Sequence, residues 1–113
     1  MLKSVSLIAL VVASMLPFDL PAVCAEGSSF QHDVIPLMTR FGCNSGGCHG
    51  KLAGQNGFRL SLRGYAPELD FEYIARESRG RRLSAAAPEH SLLLRKATGL
   101  EPHGGGKRFD RDS

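Results

Sequence analysis

The strongest constraint on what this chain can become is the run C-N-S-G-G-C-H, which begins at Cys43. Two cysteines followed directly by a histidine can hold one haem through three bonds. Cys43 and Cys48 can form thioethers to the haem vinyl groups, and His49 can serve as the proximal iron ligand. The usual pattern places two residues between the cysteines, whereas this chain has four. Gly46 and Gly47 favour a longer attachment loop, because glycine accepts the positive φ angles that such a loop requires.

Three kinds of site fit two cysteines followed by a histidine. Covalent haem uses all three residues. A disulfide between Cys43 and Cys48 would close a small loop, which is ordinary in exported proteins, but it leaves His49 without a role. Zinc accepts two thiolates and two imidazoles, with His90 or His103 as the fourth ligand, yet adjacent cysteine and histidine fit poorly around one tetrahedral centre. Haem is the favoured prediction, and the disulfide and zinc sites are its alternatives.

The N-terminus has the organisation of a secretory signal peptide. A basic start at Met1–Lys3 and an apolar run at Val5–Leu16 precede a small-residue cleavage site at Val23–Ala25. We therefore predict a signal peptide over residues 1–25 and an exported protein, periplasmic or at the cell surface. The apolar run is short for a bilayer, so we expect no transmembrane segment after cleavage. A lipid anchor on Cys24 is the less favoured alternative, because valine fits poorly before a lipidated cysteine.

Cleavage leaves residues 26–113 as one small domain whose own apolar side chains provide only a marginal core. A buried porphyrin would supply a large apolar plate around which short helices can pack. Helical spacing or helix-start residues predict helices over 30–41, over 67–79 and from Pro88 through 92–94, with an extended segment over 58–62. Pro36 either kinks the first helix or marks the first turn of a shorter one. The predicted fold class is mainly α, a small helical domain around haem with glycine-rich loops.

The charge of the chain favours no particular class of partner strongly. The formal net charge is +3, and much of the basic character lies in the cluster of Arg76, Arg79, Arg81 and Arg82. We predict that this cluster is a solvated helix end, with docking of an acidic partner or a haem propionate as the alternative. An exported chain without a recognisable nucleic-acid motif is not expected to bind nucleic acid. No catalytic acid or base stands out, so we do not expect an enzyme.

An electron-transfer haem held by His49 usually has a second protein ligand, and four side chains are candidates for it. Met38 lies on the apolar face of the first predicted helix and is more typical of a core residue. His32 and His90 lie near helix starts, where exposed positions are expected. His103 follows a proline in a glycine-rich loop far along the chain, and those glycines would let the backbone approach a flat porphyrin. His103 is therefore the preferred distal ligand.

Taken together, five segments of the chain resemble the planctomycete cytochrome c-like domains. In order they read F-Q-H-D-V-I-P-L-M-T-R-F-G-C-N-S-G-G-C-H-G, G-F-R-L-S-L-R-G, G-R-R-L, P-E-H-S-L-L-L-R-K-A-T-G and P-H-G-G-G-K-R-F. The resemblance covers residues 30–109 and includes the longer cysteine spacing. Domains of this family stand at the N-terminus of larger exported multidomain proteins.

The resemblance implies haem c bound covalently to Cys43 and Cys48, with His49 as the proximal ligand. It places His103 where the more common cytochrome c pattern has methionine. Family members continue into a further helix, whereas this chain stops at Ser113, so the resemblance implies a domain that lacks its last helix and further domains in a full-length form. It also implies an electron carrier, whose redox partner the sequence does not identify.

Overall fold

The computed structural model of the protein describes residues 27–113, so the signal peptide predicted over residues 1–25 lies outside the described part. The described part is mainly helical, as predicted. A π-helical turn (Phe30–Val34) runs into helix α1 (Ile35–Arg40), and helices α2 (Pro67–Ala75) and α3 (Leu92–Ala97) follow, with 3-10 turns at Leu62–Gly64, Glu77–Gly80 and Pro88–His90. No β-strand occurs within residues 27–113, where a single antiparallel bridge joins Gln55 to Phe58.

No helix in the described residues is both long enough and apolar enough to cross a membrane.

The first predicted helix forms in two parts, and Pro36 explains where the second part begins. The side-chain oxygen of Ser29 accepts a hydrogen bond from the backbone N–H of His32 and caps the π-helical turn. Pro36 lies in the first turn of α1, where its missing N–H has no helical partner to lose. Gly42 follows the helix with a φ of 73°, which ends it as predicted. Pro36 therefore marks the first turn of a shorter helix.

The second predicted helix is shorter than expected because two residues near its end adopt left-handed backbone angles. α2 begins at Pro67 as predicted but ends at Ala75. Ser78 and Arg79 have φ angles of 56° and 60°, which are incompatible with a continuing α-helix. The extended segment predicted over 58–62 forms no strand and turns into a 3-10 helix at its end. Both differences are local backbone turns that the apolar pattern does not encode.

The buried core is small, and many apolar side chains face a cleft instead. Met38, Leu60 and Ile74 form the buried cluster, and Phe58 and Leu93 pack against it from partly buried positions. The third predicted helix was expected to carry residues 92–94 into the core. These leucines are only partly buried or exposed and line the cleft described below. A marginal core is what a chain of this size was predicted to have.

Asp70 ties α2 to the segment that follows the cysteine motif. Its carboxylate is fully buried and accepts hydrogen bonds from the Ser61 backbone N–H at 2.5 Å and from the Ser61 hydroxyl at 2.7 Å. The Ser61 oxygen in turn accepts a bond from the Ala66 N–H at 3.0 Å, just before α2 begins. Removing this acceptor would leave buried donors without partners, which costs more than the bonds themselves contribute.

Replacing Asp70 with alanine is therefore expected to lower the free energy of unfolding by about 2–4 kcal/mol. Urea denaturation followed by circular dichroism measures the loss. Asp70→Asn keeps one acceptor oxygen, so its free energy of unfolding should fall less than that of Asp70→Ala. Glu68→Ala, an exposed change on the same helix, is the control and should leave the midpoint unchanged. An Asp70→Ala protein with the parent midpoint would contradict this account of α2.

Arg82 departs from the prediction that the arginine cluster is a solvated helix end. Its side chain is buried, with 5% of the residue exposed. The guanidinium donates to the carbonyls of Tyr73 at 2.7 Å and Gly57 at 3.0 Å, pairs with Glu77 at 3.2 Å and lies 4.6 Å from the centre of the Phe58 ring. The prediction was wrong for Arg82, because partners distant in sequence satisfy its donors. The other three arginines of the cluster are exposed, as expected.

Candidate functional site

A large cleft lies between α1, the cysteine motif, α3 and the C-terminal segment. Its volume is about 1080 Å³, at the upper limit of ordinary ligand pockets. The lining is largely apolar and includes Met38, Phe41, Phe58, Leu60, Leu92, Leu93, Leu94 and Phe109. Cys43, Cys48, His49 and His103 also line it. The fold therefore brings all four predicted site residues to one cavity.

The cysteine motif folds as a compact loop held by its own backbone. The N–H of Cys43 donates to the Met38 carbonyl at 2.8 Å, and the N–H of His49 donates back to the Cys43 carbonyl at 3.0 Å. The N–H of Cys48 donates to the Ser45 carbonyl at 3.0 Å. Cys43, Cys48 and His49 all line the cleft from this loop. Cys43 thus follows α1 almost directly, as the sequence indicated.

The glycines that this loop requires are not the ones that the sequence suggested. Gly46 and Gly47 do not adopt positive φ angles, so the role predicted for them was wrong. Gly50, directly after the motif, has no room for a side chain, since a Cβ there would lie 2.0 Å from the Asn44 carbonyl oxygen. The glycines that the backbone requires here are therefore Gly42, directly before the motif, and Gly50, directly after it.

Both motif cysteines are free thiols at half-buried positions. Burial raises the pKa of the Cys43 thiol, and the neighbouring Cys48 adds to the increase. The positive charge of Arg108 acts in the opposite direction. At neutral pH Cys43 is therefore held mainly as the neutral thiol, which is less prone to chance thiol–disulfide exchange.

His49 is held in the form that can ligate a metal. Its Nδ1 lies 2.9 Å from the Phe58 carbonyl oxygen, which can only accept a hydrogen bond, so Nδ1 carries the proton and Nε2 keeps its lone pair. Burial lowers the pKa of His49, and the charges of His103 and Arg82 lower it further, whereas the bond to Phe58 opposes them. The imidazole is therefore neutral at physiological pH with Nε2 available.

His103 has the same arrangement on the other side of the cleft. Its Nδ1 lies 2.8 Å from the Gly106 carbonyl oxygen, so the neutral ring carries its proton on Nδ1 and its lone pair on Nε2. The rings of His49 and His103 are parallel within 4°, and their centres are 6.2 Å apart. Two imidazoles that bind one metal ion from opposite sides, through metal–nitrogen bonds of about 2 Å, have ring centres about 6 Å apart. A backbone carbonyl on the second ring nitrogen is also the usual support of a metal-bound histidine.

The other candidate ligands are placed differently. His32 is exposed, and His90 is exposed beside Glu89, so neither faces the cleft. Met38 reaches the cleft but is packed in the core cluster. Within residues 27–113, no three histidine, cysteine or acidic side chains converge as a metal site would need. Of the four side chains weighed as a second ligand, His103 alone is paired with His49 across the cleft.

The C-terminal segment that carries His103 is anchored by contacts that the sequence did not reveal. The guanidinium of Arg108 donates to the Phe41 carbonyl at the end of α1, at 2.9 and 2.6 Å. Phe109 packs against Phe41 with ring centres 4.8 Å apart. Lys96 of α3 donates to the Pro102 carbonyl at 2.8 Å. No apolar periodicity marks this segment, so its docking could not be predicted from local pattern.

Positive charge dominates the polar part of the cleft. Among the described residues its lining includes Arg40, Arg81, Arg82, Lys96 and Arg108 but no acidic side chain. Arg82, Lys96 and Arg108 already donate to backbone carbonyls. Arg40 and Arg81 are exposed at the surface. The cleft is therefore suited to an apolar ligand that carries negative groups.

No family model, curated protein or solved structure matches the chain. The resemblance to cytochrome c-like domains consequently stays a prediction from the sequence. The features of the molecule that bear on function are the cleft, the two thiols and the two imidazoles.

Proposed function

We propose that the chain is a c-type haem-binding electron-transfer domain, with haem attached to Cys43 and Cys48. His49 is the proximal iron ligand and His103 the distal one. The observation that carries this proposal is the pair of parallel imidazoles in one apolar cleft, each with Nδ1 bonded to a backbone carbonyl and Nε2 available. Both cysteines line the same cleft. The resemblance to planctomycete cytochrome c-like domains, and export of the protein, belong to the same proposal.

The lining of the cleft fits a porphyrin. The apolar residues of α1, α3 and the Phe58–Leu60 segment can cover the faces of a large flat ring and keep water from it. The exposed cations Arg40 and Arg81 can reach carboxylates at its edge. Such a ligand would also add the apolar surface that the small core lacks. Haem, when bound, supplies a one-electron iron couple.

His49 and His103 would be the two ligands of the haem iron and would set its reduction potential. The carbonyls of Phe58 and Gly106 fix both tautomers and orientations before any ligand arrives. Two imidazoles favour a lower reduction potential than an imidazole and a thioether, since methionine raises the potential. With both histidines as ligands, the protein would leave no open position on the iron. That arrangement suits an electron carrier rather than an enzyme that binds substrate at iron.

An exported interaction domain with a Cys43–Cys48 disulfide is the second candidate. The observation that favours it is that Cys43 and Cys48 are both free thiols and line the same cleft. It gives no role to the supported imidazoles of His49 and His103. Intact-mass measurement on the exported protein, made in a host that attaches haem c, separates the haem domain from the disulfide domain. Attachment adds the mass of one haem group, whereas a disulfide removes the mass of two hydrogens.

Replacing His103 with alanine tests the distal assignment. We expect the variant to retain covalent haem but to lose the low-spin spectrum, because one axial position becomes open to water or added ligands. Carbon monoxide should bind the reduced variant readily and the parent protein poorly. His90→Ala, an exposed change outside the cleft, is the control and should match the parent. Identical oxidised and reduced spectra for His103→Ala and the parent would show that the distal ligand lies elsewhere.

A further inference from the structure

Arg108 connects three segments that are far apart in sequence. Its Nε and Nη2 donate to the carbonyl of Phe41, which follows α1, and its Nη1 donates to the carbonyl of Gly105 at 2.9 Å. Its backbone N–H donates to the carbonyl of Ala97 at the end of α3, at 2.8 Å. One residue therefore joins the ends of two helices to the loop that holds His103.

The end of α1 is shaped to receive this guanidinium. The Phe41 carbonyl is among those that a helix end leaves without a helical donor. Two nitrogens of the planar guanidinium reach it, a geometry that lysine cannot reproduce. Gly42 makes room, since a Cβ there would lie 2.8 Å from Nη2 of Arg108. Cys43 comes next, so this contact lies directly beside the first attachment position.

The other end of the contact lies inside the His103 loop. Arg108 binds the carbonyl of Gly105, and the ring of His103 binds the carbonyl of the next residue, Gly106. The two peptide groups are consecutive and meet at the Cα of Gly106. Gly105 also lies against the imidazole, since a Cβ there would be 3.1 Å from Cε1 of His103. The guanidinium thus fixes the peptide adjoining the one that orients the imidazole.

We propose that Arg108 is the positioning residue for the distal imidazole. Its hydrogen bonds hold the His103 loop against the end of α1, and their strength determines how readily an outside ligand displaces His103 from the haem iron. The inference rests on the proposed haem function. Arg108 makes no contact with the iron in this account and acts only through the loop.

The test is a titration of the oxidised, haem-loaded protein with free imidazole, followed in the Soret band. Arg108→Gln should bind imidazole about tenfold to a hundredfold more tightly than the parent, because the three charge-assisted hydrogen bonds of the guanidinium no longer hold the loop against α1 and a neutral amide replaces them only in part. Arg108→Lys keeps the charge but lacks the planar guanidinium, so its affinity for imidazole should lie between those of the parent and of Arg108→Gln. Arg111→Gln removes an exposed charge from the same segment and should match the parent.

A double variant distinguishes positioning from general loosening of the fold. In the His103→Ala background the site is already open, so adding Arg108→Gln should leave imidazole affinity unchanged. An equal increase in both backgrounds would overturn the proposal, as would parent-like affinity in Arg108→Gln. If Arg108→Gln does not accumulate, Arg108→Lys supports the same comparison in both backgrounds. A parent protein without covalent haem would overturn the proposed function itself, before any titration is made.

Discussion

A chain in which Cys43 and Cys48 are both replaced by serine is expected to lose all of its haem on denaturation, whereas the parent chain keeps it. Thioethers survive unfolding and solvent extraction, but iron–imidazole bonds do not. Serine preserves the approximate size of each side chain, and His49 and His103 stay in place, so the folded variant can still take up haem without a covalent bond. The effect should be complete. Haem staining of a denaturing gel, together with acid–solvent extraction, measures it.

The single variants Cys43→Ser and Cys48→Ser serve as matched controls. Each keeps one thioether, so each should retain haem through denaturation, with an α-band displaced from that of the parent because one vinyl group remains. Ser45→Ala, within the same loop, should retain both links. Haem that stays with the double-serine variant after extraction would contradict attachment at these two positions, and haem extracted from the parent would contradict covalent attachment altogether.

The second large effect is expected from His49→Ala. This change removes the imidazole whose Nε2 is left available by the Phe58 carbonyl, and we expect the low-spin spectrum to disappear entirely. Covalent haem should be retained in part, because both thiols remain. Free imidazole added to the variant should restore the low-spin spectrum by occupying the vacated position.

His32→Ala is the matched control for His49→Ala, since His32 is exposed and does not line the cleft. Its spectrum and haem content should equal those of the parent. A His49→Ala protein that keeps the parent's low-spin spectrum would remove His49 from the proposed ligand set. Haem content then distinguishes His49→Ala from His103→Ala, because it should fall mainly when His49 is lost. Carbon monoxide should bind readily to both variants and does not distinguish them.

The start of α2 was predictable from the sequence because Pro67 marks it locally, whereas the helix predicted from Pro88 forms only a 3-10 turn there and α3 begins at Leu92. Pro36, Pro67 and Pro88 each lie in the first turn of a helical segment, where proline loses no hydrogen bond. Helix ends were less predictable. α2 stops early because Ser78 and Arg79 adopt left-handed angles, and neither residue type signals that conformation.

The residues of the candidate site could be picked out from the sequence, but their supports could not. Cys43, Cys48 and His49 were singled out by residue type and order despite the longer spacing, and His103 by its place in a glycine-rich loop. The burial of Arg82 and the docking of Arg108 depend on carbonyls 25 and 67 residues away in sequence. Contacts at such separations follow from the whole fold, and no local pattern encodes them. The same holds for Gly50, whose need for a bare Cα arises from a neighbouring peptide.

The central claim, covalent haem at the longer cysteine spacing, is tested most directly by a pyridine haemochrome spectrum. The chain is exported in a host that carries haem c maturation machinery, then denatured and freed of non-covalent haem before reduction. The account predicts a reduced-minus-oxidised α-band at the position of haem with two thioethers, with one haem per chain. A colourless denatured protein would contradict it, and a thiol assay would then separate a Cys43–Cys48 disulfide, with no free thiols, from a chain with two unmodified cysteines.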